Sequence, residues 1–459
     1  MLTDKKKKML VAIVALSTIV SVMNGTMFNI VLPSIREEFH LSATMMGWFS
    51  SSFLVVYAVS TAIFGKCTER FSLKSLVLFA FGVLIVGDLL GYFGRTYSTM
   101  LLARVLQAIG TAVVPMLSMI VPVRYVSIRD RGTAFGFMAT GAALGSTVGP
   151  TLAGFVAQSF NWHGLFLLSL ALPLLTPLYL KLLPNEKTQP TPIDLLGGLL
   201  LGLSTATLLL ALTQTSALLL LSSAVLWGLL LWRLRTATHP FVQLSLFKNR
   251  RYVTILVFLF TFTFISAAVS FVTPLYLSAV YEASPAEIGL LILPATAITA
   301  TLGVVGGKIV DRKGAQFLYY IAATFLLIYL LVTAIILGFP KIWAVILLIF
   351  GVLGTSYLTM TLSNFTSYTL SEKEVGIGMG LYSLVYFLAF AFCSGASSKM
   401  IDWGFIAYTI NVSRHNAEAV LYGNILTVFA LLLLVTVGVF SWWLPKLQLR
   451  APNEEDRSL

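Results

Sequence analysis

Residues 87–110 read Gly87-Asp-Leu-Leu-Gly-Tyr-Phe-Gly-Arg95-Thr-Tyr-Ser-Thr-Met-Leu-Leu-Ala-Arg104-Val-Leu-Gln-Ala-Ile-Gly110 and predict two apolar helices joined by a turn near Arg95. Each arm has one ionisable residue, Asp88 before the turn and Arg104 after it. At a rise of about 1.5 Å per residue, both lie roughly 9 to 12 Å from the turn, and so at similar depth. Charges inside a membrane are costly, and such residues are usually paired and functional.

The composition identifies the class of protein in which this hairpin lies. The chain has 459 residues, of which 58% are hydrophobic and only 10% are charged, whereas soluble domains have roughly 25% charged residues. Apolar runs of about 20 residues recur along the chain, and each is long enough to cross a hydrocarbon core of roughly 30 Å. The short alternating segments of a β-barrel are missing from the sequence pattern. The sequence therefore predicts an all-α polytopic membrane protein.

The apolar runs predict fourteen transmembrane helices. Their predicted bounds are 9–33, 44–64, 74–94, 98–121, 132–157, 163–183, 194–213, 217–235, 252–277, 286–307, 316–338, 342–364, 375–398 and 422–444. The first run follows four lysines, as in a signal peptide, but it is too long for the apolar region of one. We therefore expect it to be retained as a membrane helix.

The basic residues predict the orientation of these helices. If the N-terminus is cytoplasmic, 24 of the 30 lysines and arginines fall in inside segments, five fall in outside loops, and Arg104 lies within the membrane. This asymmetry follows the positive-inside rule and places both termini in the cytoplasm. The net charge of +12 is thereby explained without nucleic acid. Cys67 and Cys393 are too few to indicate a disulfide framework or a metal site.

Two loops in the sequence are similar to each other and indicate an internal repeat. The first runs from Gly65 through Glu69 and Arg70 to Lys74, and the second runs from Gly307 through Asp311 and Arg312 to Gly314. Each follows the second helix of a six-helix block, and parallel repeats of this kind are typical of transporters. The predicted domains are a six-helix half (1–185), two inserted helices with linkers (186–245), a second six-helix half (246–445) and a cytoplasmic tail (446–459).

Together these features resemble the major facilitator superfamily, in its fourteen-helix drug:proton antiporter branch. The resemblance covers essentially the whole chain. It lies in both loops, in the fourth-helix stretch 101–110 with its buried Arg104, in the fifth-helix stretch 145–154, and in the first-helix stretch 24–33.

The chain departs from the family pattern at several positions. Asn24 and Glu69 each stand where relatives usually have Asp, Ser72 and Ala108 stand where Gly is usual, and tetracycline exporters have acids in place of Gly25 and Ser146.

The resemblance implies a proton-coupled exporter of amphipathic drugs in a bacterial plasma membrane, and we expect these drugs to be cationic. It would act as a monomer on small-molecule drugs and protons, surrounded by membrane lipid and without nucleic acid. The energy source would be the proton gradient, with no cofactor, since the sequence has no phosphate-binding Gly-Lys-Ser/Thr loop. No catalytic constellation indicates an enzyme. Two alternatives stay open, namely a specific exporter of one compound such as tetracycline, and an uncoupled facilitator or lipid-handling transporter.

The two similar loops have a mechanical interpretation. A carboxylate in such a loop can pair with a cation or lie against a helix N-terminus. These contacts would hold the cytoplasmic side closed and would break when that side opens. The alternative is that these residues are topogenic charges in solvated loops. The predicted gate residues are Gly65, Glu69, Arg70, Lys74, Gly307, Asp311, Arg312 and Gly314.

The fifth helix has small residues on one face. Gly141, Gly145 and Gly149 are spaced by four, and Gly154 lies beyond Pro150. Small residues at this spacing let helices approach closely, and a proline can bend a helix. The resemblance implies an antiporter helix here, while ordinary tight packing is the alternative.

Asp88 is the only one of the 18 acidic residues that lies well inside a predicted span. Burial raises the pKa of a carboxyl group, whereas a nearby cation lowers it. Because the two effects compete at Asp88, we predict that Asp88 and Arg104 couple transport to protons. A structural Asp–Arg pair and an Asp88 that faces the outer vestibule are the alternatives.

Asp402 marks either the outer mouth of the second half or a solvated loop. The predicted substrate-cavity residues are Asn24, Asn29, Gln107, Tyr276, Asn364 and Tyr382.

Overall fold

The computed structural model describes residues 4–41, 43–185, 194–214, 216–242, 244–371, 374–404, 411–412 and 416–447. These residues form α-helices and short 3-10 helices, and no strand occurs among them. The first eight α-helices are α1 (Asp4–Phe39), α2 (Ala43–Cys67), α3 (Leu73–Phe93), α4 (Tyr97–Thr111), α5 (Val113–Tyr125), α6 (Arg131–Phe160), α7 (Leu165–Ser169) and α8 (Thr176–Leu182). The others are α9 (Leu195–Gln214), α10 (Ala217–Thr236), α11 (Arg250–Tyr281), α12 (Pro285–Lys313), α13 (Ala315–Ile336), α14 (Lys341–Thr369), α15 (Val375–Asp402) and α16 (Ala417–Leu447). The 3-10 helices are Ile128–Asp130, Trp162–Gly164, Pro173–Leu175 and Leu244–Lys248.

The hairpin of Asp88 and Arg104 forms as predicted, with α3 and α4 as its arms. The backbone turns extended at Gly94, which ends α3, and Thr96 then caps α4. The Thr96 hydroxyl accepts from the Thr99 amide and the Thr99 hydroxyl accepts from the Thr96 amide, which is a reciprocal capping box. Local sequence therefore fixes the turn, and with it the positions of both charged residues.

The other predicted spans coincide with helices, with two of them interrupted. Span 98–121 is divided at Ala112 into α4 and α5, and span 163–183 is divided into two α-helices and two 3-10 helices. Pro173 and Pro177 lie in the second of these spans, and each removes a helical hydrogen bond. In the described part of the chain, 11 helices are long and apolar enough to cross a membrane. The molecule is therefore an all-helical polytopic membrane protein, and the count of fourteen spans stays a prediction.

The chain divides into two compact units. The first comprises Met1–Val126, Leu144–Lys248 and Leu370–Phe387, and the second comprises Ser127–Ala143, Asn249–Thr369 and Leu388–Leu459. The first part of α6 thus belongs to the second unit, and the first part of α15 belongs to the first unit. The predicted domain boundaries at 185, 245 and 445 stay a prediction.

A partly buried ion pair in the first unit joins the start of α9 to the last turn of α10. The Asp194 carboxylate accepts hydrogen bonds from Arg233 Nε (3.1 Å), Arg233 Nη2 (3.0 Å) and the Gly197 amide (3.0 Å). Burial acts to raise the pKa of the Asp194 carboxyl, but the Arg233 guanidinium and the Gly197 amide outweigh it and hold this pKa below its usual value. The pair therefore stabilises the hairpin that the sequence predicts as an insertion.

Replacing Asp194 by asparagine is expected to lower the stability of the protein by about 1 to 3 kcal/mol at neutral pH. Because the native pKa of Asp194 lies below its unfolded value, this stabilisation is complete above the unfolded pKa. It disappears as the pH falls through the native pKa. Thermal melts of the purified wild type and variant should therefore converge at low pH. The control is Arg235→Gln, an exposed charge two residues beyond Arg233 on α10; a difference that persists at low pH would contradict the assignment.

Candidate functional site

Asp88 is fully buried on α3. Its Oδ1 atom accepts a hydrogen bond of 2.8 Å from Gln107 Nε2, and its Oδ2 atom has no hydrogen-bond partner. A buried polar atom without a partner loses the free energy of hydration without compensation. The lack of exposed surface argues against the alternative in which Asp88 faces an aqueous vestibule.

Gln107 lies between the two charged residues of the hairpin. Its Oε1 atom accepts from Arg104 Nη1 at 2.6 Å, and its Nε2 atom donates both to Asp88 and to Ser169 Oγ, each at 2.8 Å. Arg104 and Gln107 are three residues apart, so they lie on one face of α4. Among the described residues, no ion pair within 4.0 Å joins Asp88 directly to Arg104. The pair that the sequence suggests is therefore indirect, with an amide between its members.

Aromatic rings surround the Arg104 guanidinium, which is itself 1% exposed. Its Cζ atom lies 4.1 Å from the ring centroid of Phe53, 4.2 Å from that of Phe28 and 5.6 Å from that of Phe49. Cation–π attraction at these distances is worth about 2 kcal/mol or more when the groups are desolvated. The rings thus hold the guanidinium in place while leaving its Nε atom without a hydrogen-bond partner.

Asn24 on α1 is a polar neighbour of Arg104 from another helix. Its backbone oxygen lies 3.5 Å from Arg104 Nη1. Its side chain is fully buried, and neither Oδ1 nor Nδ2 has a hydrogen-bond partner. Asn24 therefore contacts Arg104 through its backbone oxygen and has a buried side-chain donor and acceptor that are not used. The side chain of Asn29 lies outside the described part of the structure.

The network has a net charge of zero when Asp88 is ionised and +1 when Asp88 is protonated. Charges interact strongly in a buried environment, where the effective dielectric constant is lower than in water. A proton on Asp88 therefore changes the field at Arg104 and at any molecule bound close to it. Proton coupling by Asp88 and Arg104 stays a prediction.

The other predicted cavity residues have surroundings of their own. Tyr276 and Asn364 lie in the second unit and Tyr382 lies in the first, and all three are buried. Tyr276 lies beside the hydroxyl groups of Tyr329 and Thr273, and Asn364 Nδ2 donates to the Met360 oxygen at 2.9 Å. A role in binding stays a prediction for each of them.

The second of the two similar loops places its acid at a helix N-terminus. Asp311 Oδ1 accepts from the Gly132 amide at 2.7 Å, and Oδ2 accepts from the Thr133 amide at 2.8 Å and from the Thr133 hydroxyl. These amides belong to the first turn of α6, where no helical acceptor is available to them. The carboxylate therefore satisfies two free donors and opposes the positive end of the helix dipole.

Close backbone packing accompanies this contact in the second unit. A Cβ atom on Gly307 would lie 2.5 Å from the Gly132 oxygen, so only glycine fits there. Arg312 and Gly314 are exposed, and Gly314 has a φ of 87°, a conformation that glycine adopts without strain.

The first loop is arranged differently. Glu69 receives a hydrogen bond of 2.5 Å from Lys66 of the same loop. The backbone contact is similar, because a Cβ atom on Gly65 would lie 2.6 Å from the oxygen of Gly376 at the start of α15. Arg70 is exposed, and Lys74 donates to Asn185 at 2.7 Å. The gate function of both loops stays a prediction.

Replacing Asp311 by alanine is expected to expose the first turn of α6 to solvent exchange. Loss of a carboxylate cap costs about 0.5 to 2 kcal/mol, so hydrogen exchange at Gly132 and Thr133 should accelerate about tenfold, which corresponds to about 1.4 kcal/mol. Exchange mass spectrometry of the purified protein checks this result. Lys308→Gln, at an exposed position on the same helix, serves as the control. Unchanged exchange in Asp311→Ala would show that the cap does not stabilise α6.

The fifth-helix glycines pack unequally. Cβ atoms on Gly145 and Gly149 would lie 3.0 Å from Val22 Cβ and 2.6 Å from Thr26 Oγ1, both on α1. Gly141 is also buried, whereas a Cβ atom on Gly154 would have no neighbour within 4 Å. The side chain of Pro150 is outside the described part. Close approach to α1 therefore depends on two of the predicted positions.

Sequence reasoning missed Ser169 and the three rings around Arg104. Ser169 had a visible signal, since it is the only polar residue in the apolar run 165–172. Phe28, Phe49 and Phe53 had none, because phenylalanine is common along the chain. The side chain of Asp402 lies outside the described part of the structure.

A helical membrane protein with an internal repeat and a buried charge network belongs to the class of transporters. Comparison with known proteins specifies this class. A sequence model of the Major Facilitator Superfamily matches residues 14–394, and the chain therefore belongs to this superfamily. It is a transporter and not an enzyme, as its sequence predicts.

Two of the similar proteins cover most of the chain. The riboflavin transporter RibZ of Clostridioides difficile is 23% identical over 428 residues, covering 92% of this chain and 93% of the relative. The putative multidrug resistance protein MdtD of Yersinia pseudotuberculosis is 26% identical over 413 residues, covering 86% of this chain and 87% of the relative. The MdtD relatives support placement in the drug:proton antiporter branch.

Solved structures show the same fold. The human organic anion transporter MFSD10 matches with a TM-score of 0.68 at 15% identity, covering 93% of this chain and 99% of that one. The proton:xylose symporter XylE matches with a TM-score of 0.67 at 17% identity, covering 95% of each chain. The major facilitator fold is therefore confirmed.

Proposed function

We propose that this protein is a proton-coupled exporter of amphipathic drugs that works by alternating access. The observation that carries the proposal is the buried network of Asp88, Gln107 and Arg104, whose charge changes by one when Asp88 binds a proton. A buried ionisable group in a membrane transporter marks a proton or substrate path. Membership of the superfamily supports transport, and the relatives named for multidrug resistance support the choice of drugs.

The network favours exchange of a proton for a cation. When Asp88 is ionised the network is neutral, and an incoming cationic drug benefits from the carboxylate. When Asp88 is protonated the network is positive and repels the same drug. Because the two ligands compete through one charge, release of the drug outside and binding of a proton there become linked steps.

The proposal includes fourteen membrane crossings, with both termini in the cytoplasm of a bacterium. The distribution of lysine and arginine supports this orientation, and the bacterial relatives support the plasma membrane. The loops with Glu69 and Asp311 then lie on the cytoplasmic side and hold that side closed. The protein acts as a monomer among lipids, with the proton gradient in place of a cofactor and without nucleic acid.

A specific carrier of one compound is the second candidate. The observation that favours it is the riboflavin transporter among the relatives, which matches 92% of this chain. Gly25 and Ser146, which replace acids of tetracycline exporters, count against tetracycline as that compound. An uncoupled facilitator, including one that moves lipid, would use the same fold without a titrating group.

Proteoliposomes loaded with a pH-sensitive dye separate these functions. The protein is reconstituted, the interior is made acidic, and ethidium, tetracycline or riboflavin is added outside. The proposed function predicts proton release from the vesicles with ethidium and with other unrelated amphipathic cations. A response to one compound alone supports the specific carrier. Compound uptake without any change of internal pH would exclude proton coupling.

A further inference from the structure

The side-chain amide of Gln107 lies between Asp88 and Arg104, and its role in transmitting the protonation of Asp88 rests on the proposed function. We propose that Gln107 is a positioning residue that reverses its side-chain amide when Asp88 binds a proton, and thereby releases Arg104 toward Asn24. The relay runs from α3 through α4 to α1.

The observed orientation suits an ionised Asp88. The carboxylate can only accept hydrogen bonds, and Gln107 Nε2 donates to it at 2.8 Å. The other end of the amide then presents Oε1 to Arg104 Nη1 at 2.6 Å. One amide thus satisfies an acceptor on one side and a donor on the other, and this orientation holds the guanidinium against α4.

A proton on Oδ1 removes the reason for this orientation, because the atom that accepted from Gln107 Nε2 then carries the hydrogen. Asp88 then has an O–H group that donates, and the Oε1 atom of a reversed amide accepts that hydrogen bond. Ser169 permits the reversal, because its hydroxyl accepts from Nε2 in one orientation and donates to Oε1 in the other. The reversal breaks no covalent bond, and the only proton that moves is the one that binds to Asp88.

The reversed amide is unfavourable for Arg104. It turns Nε2, a donor, toward Nη1, which is also a donor, so the hydrogen bond is lost. The guanidinium has another acceptor nearby, because Nη1 already lies 3.5 Å from the backbone oxygen of Asn24. The Oδ1 atom of Asn24 is buried and without a hydrogen-bond partner, as is Arg104 Nε.

Arg104 is the charged group that faces Asp88. The other side chains that reach Asp88, Gln107 from α4 and Ser169 from α7, are neutral. Other titratable groups of the segments packed on α3 interact elsewhere, and Tyr97 of α4 donates to the Met45 oxygen at 2.8 Å. His163 interacts with Glu38 and Arg95, Tyr179 of α8 bonds to Ser17, and Arg124 of α5 bonds to Thr68. A pH response in this network therefore belongs to Asp88.

Infrared difference spectroscopy across a pH change tests the relay without any ligand. The purified full-length protein is labelled with isotopically substituted arginine, so that guanidinium bands are identified. The wild type should show a protonated-carboxyl band that is lost in Asp88→Asn, together with a guanidinium change that has the same midpoint. Gln107→Asn and Gln107→Met should keep the carboxyl band and lose the guanidinium change.

Thr111→Val is the matched control. Thr111 lies one turn beyond Gln107 on α4 and bonds to the Gln107 backbone oxygen, so the change removes a buried hydrogen bond but leaves the amide untouched. This variant should keep both bands. A guanidinium change that persists in both Gln107 variants overturns the relay, because Arg104 would then respond to the protonation of Asp88 without the Gln107 amide. If neither variant folds, different midpoints for the two wild-type bands overturn it as well. The absence of any carboxyl band from Asp88 contradicts the proposed function instead.

Discussion

Replacing Asp88 by asparagine is expected to abolish export driven by a proton gradient while leaving drug binding measurable. Asparagine keeps the size of the side chain and an oxygen that can accept from Gln107 Nε2, so the hairpin of α3 and α4 should still fold. It cannot bind and release a proton in the accessible pH range. The network then has a fixed charge of +1, and the competition between proton and drug disappears.

The size of this effect follows from the driving force. A gradient of one pH unit supplies about 1.4 kcal/mol per proton, or about tenfold in drug concentration. Wild-type vesicles should therefore concentrate ethidium about tenfold per pH unit for one-to-one exchange, and Asp88→Asn vesicles should not concentrate it at all. Fluorescence of ethidium in proteoliposomes provides the measurement. Glu418→Gln, which removes an exposed acid at the start of α16, is the control and should behave as wild type.

Binding separates a loss of coupling from a loss of fold. The affinity of purified Asp88→Asn for ethidium should be independent of pH, whereas wild-type affinity should rise with pH as Asp88 ionises. Normal export by Asp88→Asn at every pH tested would show that this residue has a structural role alone.

Removing Arg104 is expected to have the broader effect. Arg104→Ala leaves the Asp88 carboxylate without a compensating charge and opens a cavity between Phe28 and Phe53. Removing one partner of a buried charged pair costs about 3 to 5 kcal/mol. The variant should therefore lose binding, transport and thermal stability together.

A double variant tests the reason for this loss. Arg104→Ala combined with Asp88→Asn removes the uncompensated charge as well, so much of the lost stability should return while transport stays absent. A coupling between the two changes is measured by a double-mutant cycle of thermal melts. Arg104→Lys keeps the charge but not the planar group that stacks between the rings, and it should fall between the wild type and Arg104→Ala. Strict additivity of the two single changes would contradict the electrostatic link through Gln107.

The hairpin was predictable because its signals are local. The length of the apolar runs indicates the two helices. Thr96 and Thr99 cap the start of α4 through local contacts that do not depend on the rest of the fold. The interruption of span 163–183 could likewise have been predicted, because Pro173 and Pro177 each remove a helical hydrogen bond. Such features need only the nearest residues in sequence.

The bridge by Gln107 was not predictable in the same way. The sequence places Arg104 and Gln107 on one face of α4, but it does not show which of them meets Asp88. That depends on side-chain length and on Ser169, which is 62 residues further along the chain than Gln107. The ring stack on Arg104 needs α1, α2 and α4 to be packed before it can be recognised.

The two repeated loops show how similar sequences differ in contact. Asp311 satisfies the first turn of α6, whereas Glu69, with one more methylene group, pairs with Lys66 of its own loop. Sequence similarity therefore predicts the shared glycine packing of Gly65 and Gly307 better than it predicts the partners of the acids.

Simultaneous measurement of proton and ethidium flux in the same proteoliposomes tests the role of Asp88 most directly. In the wild type, addition of ethidium on the side opposite an acidic interior should release protons in proportion to the ethidium that enters. In Asp88→Asn both gradient-driven fluxes should vanish, while ethidium binding stays measurable at the weak affinity expected of the protonated wild type. Proton release of wild-type size in Asp88→Asn would contradict the assignment of the proton to this carboxylate.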